Sequence, residues 1–208
     1  MSHVVVLDYP GPEHERRIKS LGLGRHVLDE IRPREVALGR HVRQLVERTG
    51  GGRVVIAHCA AAVIGREFAR LTGAARFIVV NPETPEPREV LELARTIMED
   101  PALPEVTAAR LADFEPVLVE RYQRDLGGDL VLAEELASAQ LDWVHHLAAA
   151  ADPEAGAVLS SEVHLTSTDH ECPAGCPAEH VRAAATAEEM FGSEQVRAFF
   201  AEEVPDAG

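Results

Sequence analysis

Basic residues are scarce in this chain: 20 Lys and Arg stand against 35 Asp and Glu, a formal net charge of −15 over 208 residues. That deficit argues against sequence-independent nucleic-acid binding, which depends on neutralising phosphates with Lys and Arg; otherwise it bears on solubility more than on fold. Cysteine is sparse too, and three in a chain of 208 are not a disulfide framework. No apolar run approaches the roughly 20 residues that a membrane span requires. The opening MSHVVVLDYP has no basic stretch followed by a long apolar segment, so no signal peptide is expected and a cytoplasmic location is. Neither G-x-G-x-x-G nor G-x-x-x-x-G-K-[ST] occurs, and Gly22-Leu23-Gly24 does not make a nucleotide loop. No cofactor is expected, and no internal repeat or low-complexity linker interrupts the chain.

What is present is ordinary globular material, 46% hydrophobic and 26% charged, enough for one domain over residues 1–208 with a sizeable core. HVVVLDYP reads as a buried strand closed by Pro10-Gly11-Pro12. EHERRIKSLGLG follows as a short helix with Gly22 and Gly24 as stop signals, and GRHVLDEIRP as a weaker strand around Val27 and Ile31. REVALGRHVRQLVERTGGG is a stronger helix, with Leu38, Val42, Leu45 and Val46 on one face and Gly50 to Gly52 as terminator. RVVIA and RFIVVNPETP are buried strands flanking a helix from Ala60 to Leu71. Strands apolar on both faces that alternate with helices predict an α/β fold, a mostly parallel sheet covered on both sides.

From Pro87 the texture becomes helical and stays so to about Asp152, through PREVLELARTIMED, VTAARLADFEPVLVERYQRDL and LVLAEELASAQLDWVHHLAAA. Residues 87–152 therefore read as a helical insertion, either a lid over the strand ends or a block that completes the core or a dimer contact. Strands resume with AVLSSEVHLTSTD and HVRAAAT before a closing helix, GSEQVRAFFAEEV.

Cys59 stands where the strand RVVIAH meets the helix AAAVIGREFARL. A nucleophile on such an elbow needs small residues two positions to either side, because its backbone is strained and larger side chains would collide. Ala57 and Ala61 meet that requirement. A helix starting at Ala60 would aim N–H groups and its positive dipole end at the sulfur, which is expected to lower the thiol pKa. The alternative is a small buried apolar residue, the commonest fate of a free cysteine.

IAHCAAAVIGREFARLTGAARFIVVNPETP resembles the central segment of α/β-hydrolase thioesterases that serve polyketide and nonribosomal-peptide assembly lines, where a G-H-S-x-G elbow leads to a helix and then a strand with a proline-rich exit. His58 matches the residue before the nucleophile, and Cys59 replaces the serine. The resemblance implies an α/β-hydrolase-like sheet with a reduced N-terminus, a lid in the helical block, and acyl transfer from a thioester through Cys59. The acyl donor would be a thioester, with an acyl or peptidyl carrier protein as one candidate; no nucleic acid and no membrane is implied. An acidic carrier would need a basic patch, for which Arg16, Arg17 and Lys19 are candidates. In the family the acid follows one of the two strands after the elbow: here those positions offer Asn81 and Asp169. The family's histidine lies before the last helix, where this chain has TAEEMFG, so His170 beside Asp169 is the leading base, with His180, His145 and His146 as others. The Ala60 N–H and an N–H near Tyr9 or Gly11 would form the oxyanion site. With the usual histidine missing, a catalytically altered binding or scaffold protein is the second reading. The cysteine elbow of class I glutamine amidotransferases is a third, set aside because their H-x-E is absent.

DHECPAGCPAEH carries a separate constellation, with His170, Cys172, Cys176 and His180 spaced H-x-C-x3-C-x3-H. Zinc takes Cys and His tetrahedrally, but the first two ligands are unusually close. A metal clip, a local disulfide and a plain loop all stay open, and metal on His170 would remove it as a base. His3, His14, His26 and His41 follow no ligand pattern.

Overall fold

The computed structural model describes residues 4–9, 18–152, 156–172 and 174–204. Its sheet contains β1 (Val4–Leu7), β2 (Arg25–His26), β3 (Val54–His58), β4 (Arg76–Val80), β5 (Glu162–Thr166) and β6 (Glu179–Arg182). They pair in the order β2-β1-β3-β4-β5-β6, and every neighbouring pair is parallel. The helices are α1 (Val27–Glu30), α2 (Leu38–Thr49), α3 (Ala61–Thr72), α4 (Pro87–Met98), α5 (Ala108–Asp125), α6 (Leu130–Ala150) and α7 (Glu194–Glu203), with single 3-10 turns at Ile18–Leu21 and Met190–Gly192.

The central strands are apolar on both faces because both are covered. Val5, Leu7, Val55, Ala57, Phe77 and Val79 pack with α1, α2, α3 and the end of α6. Val4, Val6, Ile56, Ile78, Val80 and Leu165 pack with Phe191 and with Val196 and Phe200 of α7. This is the expected mostly parallel sheet flanked by helices. Gly65 lets α3 lie close on the sheet: a Cβ there would stand 2.8 Å from the Ala57 Cβ and 2.8 Å from the Phe77 ring.

Between β4 and β5, α4, α5 and α6 share an apolar centre of their own that includes Ile97, Leu111, Leu118, Leu141 and Val144. A reciprocal Glu86–Glu89 capping box and Pro87 in the first turn start α4, and the Thr107 and Asp129 side chains cap α5 and α6. The block is fastened to the sheet by Tyr9, which stacks on His146 and Trp143 at 4.6 and 5.3 Å between centroids. Asp142, buried, takes Arg32 at 3.4 Å, and Asp152 accepts the Leu38 N–H at 3.1 Å.

Two local expectations are corrected. GRHVLDEIRP forms only the two-residue strand β2 and then turns into α1, because Val27, Leu28 and Ile31 are buried at helical spacing. The expected helix over EHERRIKSLGLG is, in its described part, one 3-10 turn ended by Gly22 and Gly24 at positive φ. His3, Gly11, His14, Arg16 and Arg17 lie outside the described residues.

Candidate functional site

Cys59 sits at the carboxyl end of β3 with φ 53°, in the left-handed region that non-glycine residues occupy only when the surroundings over-determine it. Three backbone hydrogen bonds hold the elbow. Its N–H donates to the Val80 carbonyl at 2.9 Å, and its own carbonyl accepts from Ala62 at 3.0 Å and Glu83 at 3.3 Å. Helix α3 begins two residues later, with Ala60 as its N-cap residue. The side chain is half-buried, and Sγ donates to Glu83 Oε2 at 2.8 Å.

Burial and that carboxylate together overturn the expected electrostatics. Burial and then the Glu83 hydrogen bond push the Cys59 thiol up to about 12, against the Ala60 N–H, which acts the other way. The reason is desolvation first and then charge balance. One backbone dipole end favours the thiolate, whereas Glu83 and the more distant Asp8 both oppose a second negative charge. At neutral pH the sulfur is a thiol hydrogen-bonded to a carboxylate.

Asp8 and Glu83 are the site residues that sequence reasoning passed over. Asp8, buried at the end of β1, accepts from His58 Nδ1 at 3.2 Å, and the His58 ring meets Phe191 edge-on. The signals were there: an acid at the end of the first strand, and one two residues beyond Asn81 in NPETP. Asn81 itself has φ 45° and is buried. Its Oδ1 accepts the Ser167 N–H at 2.9 Å and its Nδ2 donates to Met190 Sδ at 3.4 Å, tying the ends of β4 and β5 to the turn before α7.

His170 Nε2 donates to the Pro82 carbonyl at 3.1 Å, so its ring rests on the segment that carries Glu83. Asp169 turns elsewhere: its Oδ1 accepts the Ala187 N–H at 2.8 Å. Tyr9 faces α6 through its ring stack. His145 and His146 are buried, and both His146 ring nitrogens lack a hydrogen-bond partner among the described residues. Burial lowers His145 to about 4, with His41 and Arg34 adding to it. His41, buried against the same group, is lowered to about 4 by desolvation although the Glu35 carbonyl supports its charge.

The other constellation assembles with a change of member. His164 of β5, not His170, stands with the two cysteines and His180: its Nδ1 is 3.3 Å from Cys172 Sγ and 3.5 Å from Cys176 Sγ. Both cysteines are free thiols. Polar residues at every second position of β5, Glu162, His164 and Thr166, were the signal that one face of this strand looks onto something other than apolar core.

Neither a protein-family model nor a curated protein matches the chain. Among solved structures it is similar to the Vlm2 thioesterase domain with genetically encoded 2,3-diaminopropionic acid bound with a dodecadepsipeptide, at TM-score 0.47 and 13% identity over 83% of this chain and 75% of that one. A second crystal form of that domain gives TM-score 0.43 and 12% identity over 82% and 76%. A hydrolase from Oleispira antarctica gives TM-score 0.47 and 10% identity over 98% and 90%.

Proposed function

We propose that the chain is a thioesterase-like acyl-transfer enzyme in which Cys59 is the nucleophile. The observation that carries this reading is the elbow: a cysteine at positive φ between a strand and a helix, with its sulfur 2.8 Å from a carboxylate able to take the proton. In the proposed reaction Cys59 Sγ attacks the carbonyl carbon of an acyl thioester as its proton passes to Glu83. The tetrahedral oxyanion is taken by the Ala60 N–H with an N–H near Tyr9. Collapse expels the donor thiolate, which recovers the proton, and leaves the acyl group on Cys59 until water or an amine removes it. His170, resting on Pro82, is the imidazole proposed to serve the second step, with Asp169 beside it in sequence. His58 and Asn81 shape the floor of the site. An intermediate that is itself a thioester keeps its energy for transfer to an acceptor, which suits a biosynthetic role with a carrier-bound donor.

The raised thiol pKa is consistent with a base-assisted nucleophile rather than a standing thiolate. Acyl N-acetylcysteamine thioesters of increasing chain length test the proposal, with thiol release followed together with intact mass. The expected result is an acyl adduct on the Cys59 peptide that disappears in Cys59→Ala. Loss of a general base in Glu83→Gln should slow acylation by about 10²–10⁴-fold.

One observation favours a second reading, a binding or scaffold protein: the elbow thiol is bonded to an acid and not to an imidazole. Native protein that forms no adduct with any thioester, while its Cys59 stays accessible to small alkylators, decides for the scaffold.

A further inference from the structure

We infer that His164, Cys172, Cys176 and His180 form a tetrahedral zinc site that clamps the β5–β6 crossover. The inference is independent of the acyl-transfer reading and uses none of its residues.

Parallel neighbours such as β5 and β6 need a crossover of about a dozen residues or more, usually a helix that packs back on the sheet. Among the described residues of 167–178 this crossover contains no helix. It also leads to the edge strand of the sheet, where pairing on one side only holds the chain. His164 and His180 are register partners across β5 and β6, and their rings meet edge-on at 5.3 Å. The crossover folds over this pair and brings both cysteines to His164 Nδ1.

Ligand atoms of His164, Cys176 and His180 lie within 4.8 Å of one another, and Cys172 Sγ approaches the same nitrogen of His164 at 3.3 Å. Zn–S of ~2.3 Å and Zn–N of ~2.0 Å at tetrahedral angles require sulfur and nitrogen about 3.5 Å apart. The two sulfurs stand at 3.3 and 3.5 Å from His164 Nδ1. A neutral imidazole nitrogen offers one lone pair, so two thiols facing it cannot both donate to it. A cation resolves that conflict by taking the lone pair and both sulfurs together.

The outer side of His164 is built for a ligand. Its Nε2 donates to Glu162 Oε1 at 2.7 Å, which puts the proton on Nε2 and leaves Nδ1 bare towards the sulfurs. Arg66 of α3 holds Glu162 in turn with two bonds at 2.9 and 2.7 Å. A carboxylate behind a ligating histidine is the usual support of a zinc-bound imidazole. Two thiols and two imidazoles favour zinc over hard cations such as magnesium or calcium. On uptake the two thiols release their protons to solvent, and no redox change is involved.

Full-length protein, purified in reductant without chelator or polyhistidine tag, should carry about one zinc per chain by elemental analysis. Exchange with Co²⁺ should give the intense visible bands of tetrahedral cobalt and a thiolate-to-cobalt charge-transfer band. Cys176→Ser, on an open loop, should lose both. Glu162→Gln should weaken binding by about 10–100-fold. Should a variant fail to fold, the wild type still decides: added zinc should protect Cys172 and Cys176 from alkylation and leave Cys59 unprotected. Metal-free protein that gives only octahedral cobalt spectra, metal content unchanged in Cys176→Ser, or cysteines unprotected by zinc would each overturn the site.

Discussion

Around Cys59 burial, joined by an acidic neighbour, reverses what the helix N-terminus would do alone. The same carboxylate that the proposed reaction uses as a base suppresses the resting thiolate, so one substitution has opposite effects on two measurements. Removing the charge in Glu83→Gln takes away a hydrogen bond and a Coulombic contribution that both raise the thiol. Alkylation of Cys59 by iodoacetamide at neutral pH should therefore become faster, even as acylation by a thioester becomes slower. A rate of alkylation equal to wild type would show that Glu83 does not govern the sulfur. Arg66 presents the reverse situation. It forms a bidentate pair with Glu162, whose side chain is wholly buried. Burial by itself would raise that carboxyl, but the Arg66 and His164 hydrogen bonds hold it at about 2. Arg66→Ala leaves a buried charge without its partner and should cost about 3–5 kcal/mol in chemical denaturation.

At the scale of elements, α3 carries the elbow, and its approach to the sheet depends on Gly65. A valine there must push its Cβ against Ala57 and Phe77, both fully buried and immobilised by the same core. Gly65→Val should destabilise by about 1–3 kcal/mol through overpacking, read as a lower denaturant midpoint. Because α3 holds the elbow, alkylation of Cys59 should change along with it. Most elements were legible in the chain because their causes are local. The alternation of β-branched runs with helical spacing marked β1, β3, β4 and β5, and Gly50 marked the end of α2. The segment after Gly24 misled because Val27, Leu28 and Ile31 suit one helical turn as well as a strand end, and which forms depends on the core they meet.

Across the whole molecule, the helical block is seated on the sheet through neutral histidines. His146 stacks on Tyr9 and Trp143, and His41 faces it from α2. Arg34, Glu115 and Asp142 surround His145 and the α5–α6 side of the junction. His41 and His145 have folded pKa values of about 4 against 6.5 for the free group, and burial lowers His146 as well. Below 6.5 the unfolded chain binds protons that the folded chain refuses, so stability is full above that pH and declines as pH falls towards about 4. For His41 alone the decline is on the order of 3 kcal/mol, roughly 6–12 °C in melting temperature for a chain of this size. A melting temperature that is flat across this interval would contradict the arrangement. His146→Phe, which keeps the ring stack without the titrating nitrogens, should reduce the slope.

The sequence by itself determined the elements and their class: which stretches are strands, which are helices, that the strands are covered on both faces, and that a cysteine occupies a strand-to-helix junction. Each of these follows from interactions between residues a few positions apart. Only the tertiary structure decided what faces that cysteine and which histidine joins the thiols of the late loop. Glu83 reaches Cys59 because β4 lies beside β3 in a given register, and His164 replaces His170 because β5 turns its polar face towards the crossover. Pairings of this kind depend on how strands align across the sheet, and that alignment is settled by burying the whole core at once.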